Sequence, residues 1–122
     1  MFPRYKNFLT RHVDSDITSR KCDSVIHSRV IVRVGTKNDC RELHTFIQAD
    51  KRHIKAVCEK GGTPEGNNRF ESTNPFPIVK CTLKKGERHP HCEYRGNEFN
   101  NRKIVLECDA GWPVHYVEDR VI

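Results

Sequence analysis

Tyr5, Phe8, Leu9 and His12 recur at i, i+3, i+4 and i+7, with Val13 one position further on. That spacing predicts a first helix with one apolar face, and Pro3 suits its first turn because proline already holds a helical φ. His12 then points with the apolar face toward the body of the protein, while Lys6, Thr10 and Arg11 lie largely off it. Residues 22–34 carry two competing patterns. Cys22, Val25, Ile26 and Arg29 fit a helix, whereas Val30-Ile31-Val32-Arg33-Val34 is β-branched and alternating. Gly35 to Asp39 reads as a turn and Leu43 to Gln48 as a strand. Asp50 is a good N-cap for a short helix through Ile54, Ala56 and Val57, which Gly61-Gly62 ends. Residues 59–75, polar and rich in Gly, Asn and Pro, read as a surface loop. Four strand-like runs follow, Phe76 to Leu83, Cys92 to Phe99, Lys103 to Cys108 and Trp112 to Val117, with Asn100-Asn101 as a turn between the middle two. Helices first and an antiparallel sheet afterwards make an α+β pattern.

The chain has 122 residues, which suits a single domain over 1–122 whose modest core gains from covalent staples. Its six cysteines, Cys22, Cys40, Cys58, Cys81, Cys92 and Cys108, include no Cys-x-x-Cys pair, so a zinc knuckle is disfavoured and no metal is expected. An even number of widely spread cysteines in a small chain reads as three disulfides, each worth about 2–4 kcal/mol, with every pairing open. Disulfides imply an oxidising compartment and hence a secreted protein. Met1-Phe2-Pro3-Arg4 lacks the apolar segment of an export signal, so the chain reads as a mature form carrying an initiator Met. No stretch approaches the apolar length of a membrane span. The net charge of +6 is spread along the chain and draws polyanions: RNA, heparan-type sugars or anionic membranes.

Three features bear on chemistry: inward-facing His12, the cationic segment after Cys40, and Pro113-Val114-His115-Tyr116 near the end. Cleaving RNA by attack of the 2′-hydroxyl needs a base, an acid and positive charge at the phosphate. Histidines, with an ordinary pKa of about 6.5, suit the first two roles and Lys or Arg the third. Spacing alone does not bring His12 and His115 together, since five other histidines compete: His27, His44, His53, His89 and His91.

Cys40-Arg41-Glu42-Leu43-His44-Thr45-Phe46 resembles the signature of the pancreatic-type secreted ribonucleases, Cys-Lys-x-x-Asn-Thr-Phe. Phe8-Leu9-Thr10-Arg11-His12-Val13-Asp14 is similar to that family's Phe-x-x-Gln-His-x-Asp helix, and Pro113-Val114-His115-Tyr116 to its Pro-Val-His-Phe ending. The cysteines fall in matching order, and the resemblance covers nearly the whole chain. The absence of a cysteine pair in residues 59–75 resembles angiogenins and fish ribonucleases, and Arg4 to Leu9 with the short tail suggests the fish-like branch. The resemblance implies a V-shaped α+β fold of three short helices and an antiparallel sheet, with disulfides Cys22–Cys81, Cys40–Cys92 and Cys58–Cys108. It implies His12 as general base, His115 as general acid and Arg41 as the transition-state cation, acting on single-stranded RNA without a cofactor through a 2′,3′-cyclic phosphate. Thr45 would read the pyrimidine edge, with Arg11, His44 and Tyr116 also in contact with substrate, in a monomer.

The chain departs from that pattern at four places. Arg41 replaces a lysine, exchanging a compact ammonium for a planar, diffuse charge, which predicts weak turnover. Arg11 replaces a phosphate-binding glutamine and adds a like charge beside His12, which lowers a histidine pKa. His44 replaces an asparagine beside the pyrimidine pocket. Val117 stands where the family has an aspartate that orients the acid histidine, with Glu118 and Asp119 close by in sequence. The competing function is a secreted angiogenic or antibacterial effector with residual RNA cleavage, for which Lys51-Arg52-His53 and Lys84-Lys85-Gly86-Glu87-Arg88 could meet anionic glycans or bacterial membranes. A protease-like or purely structural disulfide domain is disfavoured, because no nucleophile arrangement is present.

Overall fold

Helix α1 spans Pro3–His12 and buries Tyr5 and Phe8 almost completely, as its apolar spacing requires. The computed structural model describes residues 3–122, so Met1 and Phe2, on which the reading of the chain's beginning rests in part, lie outside the described residues. Helix α2, Cys22–Ser28, settles the ambiguity of residues 22–34 in favour of the helix. Past its end the chain reverses at Val30, whose φ is 53°. The Val30 N–H donates to the His27 carbonyl and the Ile31 N–H to the Ile26 carbonyl, the paired bonds of a Schellman cap. A β-branched residue is strained at that φ. The reversal drives Ile31 into the core at 1% exposure while Val30 remains 58% exposed, and residues 30–34 form no strand.

Asp50 caps helix α3, Lys51–Lys55, its carboxylate accepting from the Arg52 and His53 backbone N–H groups. A 3₁₀ turn, Ala56–Cys58, follows. Residues 59–75 are not the irregular loop the composition suggests. Strands β2 (Gly62–Gly66) and β3 (Arg69–Ser72) pair there as a hairpin. Asn67 and Asn68, at φ 54° and 62°, supply the two left-handed residues of a type I′ turn. A Cβ on Gly62 would lie 1.9 Å from the Val57 carbonyl oxygen, so only glycine lets the hairpin leave the 3₁₀ turn this closely.

Strand β1 (Leu43–Ile47) pairs antiparallel with β4 (Phe76–Lys85), which pairs with β5 (Glu93–Asp109). The C-terminal half of β5 lies between β3 and β6 (Trp112–Val121). Asn100-Asn101 is therefore not a turn. Ile78 pairs with Phe99 and Phe76 with Arg102, so the two asparagines oppose Pro77 as a bulge inside one 17-residue strand. The true reversal is Ala110-Gly111, at φ 51° and 84°.

Because strand side chains alternate, β1 and β4 feed two cores. Ile47 and Ile78 join Phe8, Ile54, Ile104 and Leu106 in one, while Phe46 and Val79 join Ile17, Ile26, Ile31 and Tyr94 in the other. The disulfides are Cys22–Cys81, Cys40–Cys92 and Cys58–Cys108, with Cα separations of 5.8, 5.7 and 5.9 Å. They tie α2 to β4, the approach of β1 to the approach of β5, and the 3₁₀ turn to β5. Among the described residues, no helix is long and apolar enough to cross a membrane.

Cys58–Cys108 closes a separation of 50 residues. Replacing both cysteines by alanine should cost about 4 kcal/mol by the chain-entropy relation for a loop of that size. A urea midpoint unchanged by the double substitution would contradict this.

Candidate active site

Both ends of the chain meet at one cleft. Helix α1 packs on β6, with the Tyr5 ring 4.7 Å from Trp112 and Lys55 Nζ 4.4 Å above the indole. The cleft, of about 290 Å³, is lined from α1 by Asn7, Arg11 and His12, from β6 by His115 and Tyr116, and by Arg41 from the segment ahead of β1. His12 and His115 thus share one cleft with two guanidinium groups. His44 and Thr45 do not line it: they are 1% and 7% exposed.

The His12 Nδ1–H donates to the Thr45 carbonyl at 2.8 Å, since a carbonyl can only accept. That bond assigns the tautomer and leaves the Nε2 lone pair free as a base. Burial pushes the His12 pKa down to about 4, against the Thr45 carbonyl, which favours the protonated ring, and with Arg41, Arg11 and His115 adding like charge. The neighbouring charge expected from Arg11 is present but secondary to burial. Tyr116 stacks on His12 at 5.4 Å and 25°, and His44 at 4.7 Å and 13°. The His44 Nε2–H donates to the Arg11 carbonyl. Burial, His12, Arg41 and Arg11 together lower the His44 pKa to about 3. Burial also lowers the Arg41 pKa, with Arg11 adding to it.

His115 is solvent-facing, and its Nδ1 lies 3.4 Å from a Glu107 carboxylate oxygen. Glu107 is the cross-strand partner of His115 in the β5–β6 register, which puts both side chains on one face of the sheet. The carboxylate beside this histidine therefore comes from β5 and not from the Glu118-Asp119 pair. Asp119 is committed elsewhere. It bonds Arg102 at 2.7 Å, Lys80 at 3.0 Å and the Tyr116 hydroxyl at 3.1 Å. Burial alone would raise the Asp119 pKa, but Lys80 and Arg102 hold it below the ordinary value. Burial and the Asp119 charge in turn raise that of Tyr116. Tyr116 is thus anchored at its hydroxyl while its ring stacks on His12.

A neutral imidazole with a free Nε2, a second imidazole and two guanidinium groups lining the same cleft can take and give protons around an anionic group. Fold and cleft together are those of a small, disulfide-stapled α+β protein with a cationic, histidine-lined cleft. The pancreatic ribonuclease family model matches residues 3–117, and the chain belongs to that family. It is 48% identical to Ribonuclease-like 3 of Danio rerio over 98% of this chain and 80% of the relative. It is 40% identical to Angiogenin-3 of Mus musculus, over 94% of this chain and 77% of the relative. In three dimensions it is similar to zebrafish RNase5, with a TM-score of 0.89 and 53% identity over 95% of this chain and 93% of that one. The chain is a ribonuclease of the pancreatic family with angiogenin-like relatives.

Sequence reasoning did not find Glu107 or Asn7. Asn7 precedes an apolar position without periodicity of its own, and Glu107 emerges only from the β5–β6 register. The two lowered histidine pKa values carry a sign for stability. Unfolded, both rings take up a proton as pH falls through about 6.5; folded, they resist until about 4 and 3. Stability is therefore full above 6.5 and lost below it. For His44, buried in the core, the slope should approach about 1.4 kcal/mol per pH unit between about pH 6 and 4. Urea midpoints measured across that range should fall steadily; midpoints independent of pH would contradict the neutral, buried state of these rings.

Proposed function

We propose that the chain is a secreted, monomeric endoribonuclease that cleaves single-stranded RNA on the 3′ side of pyrimidines through a 2′,3′-cyclic phosphate, with low turnover. The observation that carries this reading is the shared cleft of His12, Arg41 and His115. His12 Nε2 takes the 2′-hydroxyl proton, the 2′-oxygen bonds to phosphorus, and the P–O5′ bond breaks as His115 protonates the departing 5′-oxygen. Arg41 lies against the charge that develops on the phosphoryl oxygens, and Arg11 holds the phosphate. Hydrolysis of the cyclic phosphate runs the proton transfers in reverse, with water in place of the 5′-hydroxyl. Tyr116, on the cleft wall, fits the pyrimidine end, with Thr45 buried behind it and its carbonyl engaged by His12.

Low turnover follows from Arg41. Its guanidinium is planar and partly desolvated, and its Nε is buried without a hydrogen-bond partner. It offers a spread charge in place of a focused one. Arg11 strengthens ground-state phosphate binding, which by itself does not raise turnover.

On a fluorogenic uridine–adenine substrate, His12→Ala or His115→Ala should each lower kcat/KM by about 10²–10⁴-fold, and activity that survives either change would sink the assignment. Arg41→Lys should raise kcat; a fall would show that the guanidinium is the better cation in this cleft.

The effector reading has support from Lys51, Arg52, Lys84, Lys85 and Arg88, all exposed, and from the angiogenin names among the relatives. Anionic glycans or bacterial membranes would be its partners. Permeabilisation of phosphatidylglycerol vesicles should persist in the His115→Ala protein if the effector role is independent of cleavage. Its loss in that variant would tie the effect to RNA.

A further inference from the structure

His44 is a fully buried imidazole to which the proposed reaction assigns no step. It is 1% exposed, so a nucleobase in the cleft cannot reach its ring. It precedes Thr45 on β1, and the two residues grip the same turn of α1. Thr45 does so by accepting the His12 Nδ1 proton, and His44 by donating Nε2–H to the Arg11 carbonyl. The His44 ring then lies nearly parallel to that of His12, 4.7 Å away, and Phe46 meets it edge-on at 4.8 Å and 69°.

The bond to Arg11 also settles the His44 tautomer. With the hydrogen on Nε2, Nδ1 is an acceptor. That Nδ1 is buried and has no hydrogen-bond partner, and the same is true of Arg41 Nε, which is a donor. The two atoms are not bonded to each other, and leaving a buried donor and a buried acceptor unpaired is costly. Arg41 is also close enough to depress protonation of both His44 and His12. The groups facing His44 are Arg11 and His12 from α1, Arg41 ahead of β1, and Phe46 with Arg29 beyond it. A protonated His44 would meet cations or protonatable rings there, so the site holds it neutral.

We propose that His44 is a positioning residue for His12: its neutral ring, held by the Arg11 carbonyl, seats the His12 imidazole by stacking on it. The inference rests on the reading of His12 as general base. It gives the asparagine-to-histidine departure in the signature segment a purpose, because the ring supplies stacking that an amide cannot.

The test compares the full chain with His44→Asn and His44→Phe, using kcat and KM on a uridine–adenine dinucleotide across pH, together with ¹⁵N imidazole NMR. In the unaltered chain, His44 should carry its proton on Nε2 alone and stay neutral at every pH from about 5 to 8. His44→Asn should lower kcat by roughly 10–100-fold, as small misplacements of reacting groups do, with KM nearly unchanged. It should also move the acid limb of the profile to higher pH, because His12 loses its covering ring. His44→Phe restores the stack, so the acid limb and most of kcat should return. A raised KM with unchanged kcat would overturn the proposal, since it marks a substrate contact. So would an acid limb that does not move in His44→Asn. Should neither variant fold, the spectra of the unaltered chain decide: a proton on His44 Nδ1, or titration near the ordinary 6.5, refutes it. An inactive unaltered chain, or a fully active His12→Ala variant, would instead sink the ribonuclease mechanism and leave the NMR result standing.

Discussion

The hydrogen bond from His12 Nδ1–H to the Thr45 carbonyl is the constraint around which the cleft is organised. It demands that His12 lie on the buried face of α1, one turn beyond Phe8, and that β1 run directly beneath the helix end. The chain meets both demands locally. Val13 bridges to Ile47, and the Asp14 N–H donates to the Ile47 carbonyl at 3.2 Å, so the exit from the helix is stitched to β1. Arg29, at the end of α2, locks the same corner through the Thr10 and Val13 carbonyls and the Asp14 carboxylate. The imidazole is fixed as one tautomer, with one nitrogen spent on structure and the other left for chemistry. The same packing that fixes the ring lowers its pKa, which makes His12 a weak base that is always in its basic form at neutral pH.

The second wall of the cleft depends on β5. This one strand pairs with β4 along its first half and with β3 and β6 along its second. The bulge at Asn100-Asn101 falls where the strand changes partners, which is the place for an extra residue that bends and twists it. The register beyond the bulge sets Glu107 opposite His115 and leaves Asp119 to the Lys80, Arg102 and Tyr116 cluster. Two carboxylates close in sequence to His115 are thereby passed over for one that is eight residues earlier in the chain. Cys58–Cys108 fastens this half of β5 to the turn after α3.

Helix α1 was legible in the sequence because its apolar spacing is regular and its burial follows that spacing. The α3 start was legible because Asp50 makes a local bond that needs nothing distant. Six spread cysteines announced three disulfides, but their pairing came only with the family resemblance, since loop spacing does not choose partners. The β2–β3 hairpin escaped because its strands are short, exposed and polar, so nothing in the hydrophobic pattern marks them. Asn100-Asn101 misled because asparagine favours turns and bulges alike, and only the partner strand distinguishes them. Residues 30–34 misled through their β-branched run, which the Schellman reversal at Val30 overrides by burying Ile31. In the site, the inward aspect of His12 followed from periodicity, and its company with His115 from resemblance. Glu107 and the His44 stack depend on strand register and on the seating of α1, which no local pattern encodes.

In the proposed reaction a buried, neutral imidazole and a solvent-facing one act as base and acid in one cleft. The most direct measurement is kcat/KM for the unaltered chain on a uridine–adenine dinucleotide as a function of pH. The expected profile is bell-shaped, with an acid limb well below 6.5, near the value of about 4 to which burial takes His12. A profile that rises or falls without a second limb, or an acid limb at the ordinary histidine value, would contradict it.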